Sequence, residues 1–150
     1  ARFVLRVIEC GGSCVIMPRF DAEAALAAVE RWRITHGHWV PTMFNRMLAL
    51  PDEVRARHDV SSLRLALHAA APCPMPVKQA MIDWWGPILY EYYAGTEGNG
   101  LTMVNSEAWL QHPGTVGKAV LGVVKIVGED GTLMPKGEAG TGYFADGPSF

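Results

Sequence analysis

Charge of one sign is missing from this sequence. Thirteen Lys and Arg stand against 15 Asp and Glu in 150 residues, a formal net charge of -2. A protein that grips nucleic acid through a broad basic face needs a marked positive excess, so that class is disfavoured. Long apolar runs are missing too. The longest stretch without a charged residue, Leu65 to Val77, holds Pro72, Pro74 and Pro76 and falls short of the roughly 18 unbroken apolar residues of a membrane-spanning helix. Cysteine is scarce and odd in number: Cys10, Cys14 and Cys73 cannot all pair within one chain, which argues against a secreted disulfide scaffold. A zinc site built from Cys10 and Cys14 with His36 and His38 matches no common ligand spacing, so ordinary buried thiols are the better reading. No initiator Met opens the chain, and no basic segment followed by a long apolar core, so no signal peptide is expected and a cytoplasmic protein is. The missing Met, with an end at Gly-Pro-Ser-Phe150 just after a strand-like run, suggests a segment of something longer.

What is present is globular in character. Hydrophobic residues make up 49% and charged residues 19%, a balance that a fully disordered chain does not have. The length suits one domain or a piece of one. Phe3 to Ile8 and Cys14 to Met17 read as strands. Asp21 is a helix N-cap for Ala22 to Ile34, with Ala25, Leu26, Val29 and Trp32 as its apolar stripe and Gly37 as its end. His38 to Val40 reads as a strand, Thr42 to Leu50 as a helix, Leu63 to Leu67 as a strand, Pro76 to Trp85 as a helix and Ile88 to Tyr93 as a strand. Short strands alternating with helices imply an α/β fold with a mostly parallel sheet, covered on both faces, over about residues 1–98. From residue 99 the chain turns β-rich. Gly100 to Asn105 is strand-like, and Glu129-Asp-Gly131 is a hairpin signal between strands at 123–127 and 141–144.

In an open parallel sheet, ligands bind beyond the carboxyl ends of the strands. Two loops leave such ends here: Ala69-Ala-Ala71-Pro72 and Ala94-Gly-Thr-Glu-Gly98. The small side chains at Ala69, Ala70 and Ala71 leave backbone open to a flat ligand. A hydroxyl followed by a carboxylate, Thr96-Glu97, binds a phosphate and a divalent cation together, and Tyr92 and Tyr93 offer rings for stacking on a base. A nucleotide site shared by the two loops follows. Taken by themselves, those two residues are more simply read as the cap of a following turn, with no ligand at all.

These residues also resemble a family. Tyr93-Ala-Gly-Thr-Glu97-Gly98 resembles the Tyr-Gly-x-Thr-Glu core motif of the adenylate-forming (AMP-binding) superfamily, which holds acyl-CoA synthetases, luciferases and peptide-synthetase adenylation domains. Asp59-Val-Ser-Ser-Leu63 followed by Ala70-Ala-Pro72 is similar to that family's Asp-Leu-Ser-Ser-Leu strand and Gly-Ala-Pro adenine loop. Val40-Pro-Thr-Met43, His112-Pro-Gly-Thr-Val-Gly117 and Pro135-x-Gly137-Glu138-x-Gly140 resemble three further elements in the family's order. Tyr90-Glu-Tyr-Tyr93 and Trp85-Gly-Pro87 look most like the fatty or carboxylic acid CoA ligase branch.

The resemblance implies roles. Ala70, Ala71 and Pro72 would lie along the adenine. Glu91, Tyr92 and Tyr93 would wall the AMP site, with Tyr93 against the base. Thr96 would bond the α-phosphate, and Glu97 would hold Mg²⁺. The implied reaction joins ATP to a carboxylic acid and passes the acyl group to coenzyme A, with medium to long fatty acids or bulky alicyclic acids as substrates. The family's Ser/Thr/Gly-rich phosphate loop has no counterpart in these residues, nor have its ribose-binding Asp and the C-terminal domain's catalytic Lys. The implied picture is the central part of an adenylation domain, inactive by itself and prone to self-association through exposed edges. Ala94 replaces the motif's usual Gly, which is tolerable if its φ is negative. Two readings stay open at His68, acyl-pocket wall or satisfied interior histidine, and at Trp39 and Met43, acyl contact or core. Trp84-Trp85 reads as packing, and Arg55, Arg57 and His58 as a solvated loop face. A nucleotide- or ligand-binding module without turnover, or another adenylate-forming branch, are the alternatives.

Overall fold

Parallel pairing begins where the sequence alternates strand with helix. The computed structural model describes residues 2–146; the closing Gly-Pro-Ser-Phe150 run lies outside the described residues. In chain order the elements are α1 (Arg2–Glu9), α2 (Ala22–Trp32), β1 (His36–Trp39), α3 (Pro41–Leu48), α4 (Asp52–Ala56), β2 (Leu65–His68), α5 (Met75–Trp85), β3 (Leu89–Ala94), β4 (Leu101–Asn105), α6 (Ser106–Gln111), β5 (Lys118–Leu121), β6 (Val123–Val127) and β7 (Thr141–Ala145). One mixed sheet runs β1-β2-β3-β4-β5, and β6 and β7 form a separate two-stranded ribbon. β1, β2 and β3 are parallel; β4 and β5 join them antiparallel. The α/β class with a helix-flanked sheet is the expected one.

The two crossovers, β1 to β2 and β2 to β3, step in the same direction along the sheet and so lay their helices on one face. There α3 packs on α5 and on α2. Leu26, Val29, Phe44, Met47, Met81 and Leu89 are fully buried between these helices and the sheet, each contributing roughly 1.5–3 kcal/mol of transfer free energy. The opposite face carries His38 and Tyr92, with Phe3 of α1 lying 4.4 and 5.9 Å from their rings.

Phe3 to Ile8 is a helix, not a strand. Phe3, Val4, Val7 and Ile8 recur at i, i+1, i+4 and i+5, a helical stripe that their β-branched content disguises. Arg6 and Glu9, one turn apart, make a solvent-exposed ion pair of 2.9 Å. Cys14 to Met17 forms no strand, and Ile16 is exposed. Asp21 caps α2 as expected, accepting from the Ala24 N–H at 2.9 Å. That helix stops at Trp32, with Arg33 in the left-handed region, and Gly37 lies inside β1 rather than ending the helix. Pro41 opens α3 instead of merely stopping the strand, since the first helical residue needs no N–H partner.

The ribbon β6–β7 pairs as expected, Val123 with Ala145 through Val127 with Thr141. Its connection is the longer stretch 128–140, however. Asp130 accepts from the Thr132 N–H and hydroxyl at 3.0 and 2.7 Å, so the Glu129-Asp-Gly131 turn folds Leu133 back onto Val127 and does not join the two strands directly. Two short helices escape the sequence pattern, α4 behind Pro51 and α6 behind Asn105, whose side chain accepts from the Ala108 N–H at 2.9 Å.

Candidate functional site

β2 and β3 are parallel neighbours, with His68 in register with Glu91. Their carboxyl ends therefore share one edge of the sheet, and the chain leaves that edge twice: through 69–74 into α5, and through 95–100 into β4. The two loops that carry Ala70-Ala71-Pro72 and Thr96-Glu97 emerge side by side. Ala70, Ala71, Pro72, Thr96 and Glu97 are all solvent-exposed.

The alternation of β3 separates three residues that the sequence reading groups as one wall, because successive strand side chains point to opposite faces. Glu91 is buried on the helix face. Tyr92 points to the other face, where its hydroxyl lies 3.2 Å from His38 Nε2 and its ring stacks at 14° on the His38 ring; burial raises its pKa. Tyr93 emerges at the helix-face side of the edge, 56% exposed, stacked on Phe144 of β7 at 5.8 Å and 26°. Among the three, Tyr93 is the ring presented beside the loops.

Glu91 is not an open wall. Its Oε2 accepts from Lys78 Nζ at 2.5 Å, and Lys78 is fully buried. Burial lowers the Lys78 pKa, opposed by the bond and the charge of Glu91. The Lys78 ammonium also sits 5.1 Å above the Trp109 ring of α6. The sequence reading misses Lys78, yet the signal is there. Lys78, Met81, Ile82 and Trp85 fall at i, i+3, i+4 and i+7 and form the buried stripe of α5. A cation in such a stripe needs an anion on the facing strand.

His68 is an interior residue. It is fully buried, edge-on to Phe44, with Nε2 3.8 Å from Glu91 Oε2 and neither ring nitrogen hydrogen-bonded. Burial, then the charges of Lys78 and His38, push its pKa down to about 3, so the imidazole is neutral. Trp39 packs in the core against Phe44 and Trp85. Trp85 belongs to that core, and Trp84 is covered by the Arg55 guanidinium at 5.2 Å. The 55–58 segment is thus less solvated than its composition implies, and His58 Nδ1 lies 3.2 Å from Glu30.

The loops themselves are shaped by small residues. Ala94 keeps out of the left-handed region, as its place in the motif requires. Ala70 does not: its φ is 76°, a conformation costing an L-residue about 1–2 kcal/mol. Strain of that kind collects where a loop is held for a ligand. At Gly95 the Glu97 carboxylate folds back over the space a Cβ would fill. Cys73, half-buried at the end of the first loop, has its thiol pushed up to about 11, chiefly by burial, with Glu91 adding; it is no nucleophile at neutral pH. Cys10 and Cys14 are exposed rather than buried, because 10–16 lies outside the core, and no group of three metal-ligating side chains occurs among the described residues.

Comparison with known proteins gives the chain a family. The AMP-binding enzyme family matches residues 2–148. The chain is 33% identical over 150 residues to 4-coumarate–CoA ligase-like 8 of Arabidopsis thaliana, a match covering 98% of this chain and 27% of that protein. Among solved structures, the amide bond synthetase McbA from Marinactinospora thermotolerans superposes with a TM-score of 0.76 at 26% identity, over 87% of this chain and 27% of that one. The anthranilate CoA ligase AuaEII, in complex with anthranoyl-AMP, does so with a TM-score of 0.72 at 28% identity, over 88% and 26%. The chain thus spans about a quarter of the length of these relatives. With motifs, sheet topology and family profile in agreement along nearly its whole length, the chain belongs to the AMP-binding enzyme family.

Proposed function

We propose that this edge is the purine and α-phosphate site of an ATP-dependent ligase that activates a carboxylic acid and hands the acyl group to coenzyme A. Residues 1–98 are its α/β part and 99–150 its β-rich part. The observation that carries the proposal is the emergence of loops 69–74 and 95–100 from adjacent parallel strand ends, in a chain whose relatives include a 4-coumarate–CoA-ligase-like protein. Ala70, Ala71 and Pro72 line the flat side of the base, and the exposed Tyr93 ring closes on it. The Thr96 hydroxyl donates to an α-phosphate oxygen. The acid's carboxylate oxygen attacks the α-phosphorus and pyrophosphate leaves with the bonding pair; a thiolate then attacks the acyl carbonyl and AMP leaves.

Glu97 suits a Mg²⁺ ion, being an exposed carboxylate without an ion-pair partner among the described residues. One carboxylate plus substrate phosphates is how that ion is usually held. When bound, the ion neutralises charge on the triphosphate. The acid is one with an apolar body, fatty, alicyclic or aromatic. The enzyme acts in the cytoplasm, where ATP and coenzyme A are available.

Calorimetric titration of the chain with AMP and with a non-hydrolysable acyl-adenylate mimic tests the site. Thr96→Ala is expected to weaken the mimic about tenfold, one charge-assisted hydrogen bond, and Glu97→Gln to weaken the Mg²⁺-dependent part. Unaltered binding in both variants sinks the assignment. The 150-residue chain alone is expected to release no AMP from ATP, coenzyme A and an acid panel, since positioning is most of this catalysis and the phosphate-loop Lys is not among these residues.

A further inference from the structure

Lys78 and Glu91 form a charged pair inside an otherwise apolar layer. Lys78 is fully buried and Glu91 nearly so, and they meet at 2.5 Å. Such a pair is a poor way to gain stability. Its desolvation cost offsets its attraction, and well-packed apolar residues of similar volume do as well or better. The pair is better explained by where it sits. Lys78 is in the first turn of α5, directly after loop 69–74. Glu91 is two residues before Tyr93 and five before Thr96. One short bond therefore links the start of the helix that follows the first loop to the strand that leads into the second.

The surroundings hold it in one geometry. The Trp109 ring covers the ammonium from α6. His68, at the root of the first loop, fills the space 3.8 Å from the same carboxylate oxygen, and as a neutral imidazole it does not compete with Lys78 for that charge.

We propose that the buried Lys78–Glu91 pair is a positioning device that sets the two strand-end loops against each other, and so fixes Ala70-Ala71-Pro72 relative to Tyr93 and Thr96. This rests on the nucleotide reading of those loops. Lys78 and Glu91 touch no ligand; they act through the loops they tie.

The test compares the chain with Lys78→Met/Glu91→Leu, which removes both charges and keeps volume, and with Glu91→Gln, which leaves Nζ an acceptor. Three quantities are read: the melting temperature, the hydrogen exchange of amides in 69–74 and 95–100, and the affinity for the acyl-adenylate mimic. The double variant is expected to melt no lower than the parent chain. Its loop amides exchange faster while those of α2 and β1 do not, and its affinity falls about tenfold or more, since small misplacement is costly at such sites. Glu91→Gln recovers part of that affinity. A folded double variant with unaltered loop exchange and affinity overturns the inference. So does a double variant that fails to fold, because the pair then serves stability, and so does a Glu91→Gln chain that binds no better than the double variant. If the parent chain does not bind the mimic, the nucleotide reading falls, and loop exchange alone decides whether the pair positions the loops.

Discussion

A neutral imidazole locked in the interior ties stability to pH at the scale of one residue. His68 is fully buried with a pKa of about 3, while in the unfolded chain it titrates near 6.5. Between those values the unfolded state binds a proton that the folded state refuses. The contribution of His68 is thus fully present above pH 6.5 and is lost as the pH falls toward 3. Its share of the slope approaches about 1.4 kcal/mol per pH unit in the middle of that window. Urea unfolding of the parent chain and of His68→Gln across pH 4–7 measures it. The variant is expected to be less stable at neutral pH, with a buried amide poorly satisfied, but to lose stability less steeply on acidification. Parallel profiles for the two chains place the imidazole in a wetter, titrating environment and contradict the assignment.

At the scale of elements, Gly117 shows what a motif position is for. In the His112-Pro-Gly-Thr-Val-Gly117 run it holds a φ of 89°, and a Cβ there would collide with the backbone carbonyl of Met103 on β4. Close approach of the chain entering β5 to β4, beside the register shift at Leu101 and Thr102, leaves room for hydrogen alone. Gly117→Ala is expected to cost about 3 kcal/mol, conformational strain plus displacement of a strand that cannot yield as a side chain would. Thermal unfolding checks it, and a loss below measurement error removes the close-approach argument.

The same scale explains which elements were legible. Periodicity exposed α2, α3, α5 and β1 to β4, because each has one apolar face on a shared core. It misread α1, whose helical stripe is carried by the β-branched Val4, Val7 and Ile8, residues that ordinarily favour strands. It passed over α6, whose start is written in a cap, Asn105, rather than in a stripe. The loops of the candidate site were legible as motifs. The Lys78–Glu91 contact was not, because partner choice across α5 and β3 depends on tertiary register and not on spacing. Tyr92 and Tyr93 are adjacent in sequence, and only the pleat assigns them to opposite faces.

At the scale of the whole molecule, apolar residues are buried to very different degrees along the chain. Residues between Ala25 and Trp109 enclose a core. Beyond them every residue of β5 is exposed, and Val120, Leu121, Val123, Val124 and Tyr143 show large apolar area to solvent. β5 is the outermost strand in the sheet order, and β6–β7 is a two-stranded ribbon, a unit that is marginal in water without a packed face. α1 adds a second apolar surface through Phe3, Leu5 and Ile8. An edge strand with unpaired backbone and exposed valines is a template for pairing with another copy. The chain is therefore expected to associate, its light-scattering mass rising with concentration above that of a monomer. Val120→Lys with Val124→Lys places charge on the β5 edge and on β6 of the ribbon, and is expected to shift the population toward monomer without disturbing the distant core, read as an unchanged melting temperature at low concentration. A parent chain that stays monodisperse and monomeric at high concentration contradicts the argument; one that associates equally with both lysines in place moves the contact to the exposed face of α1.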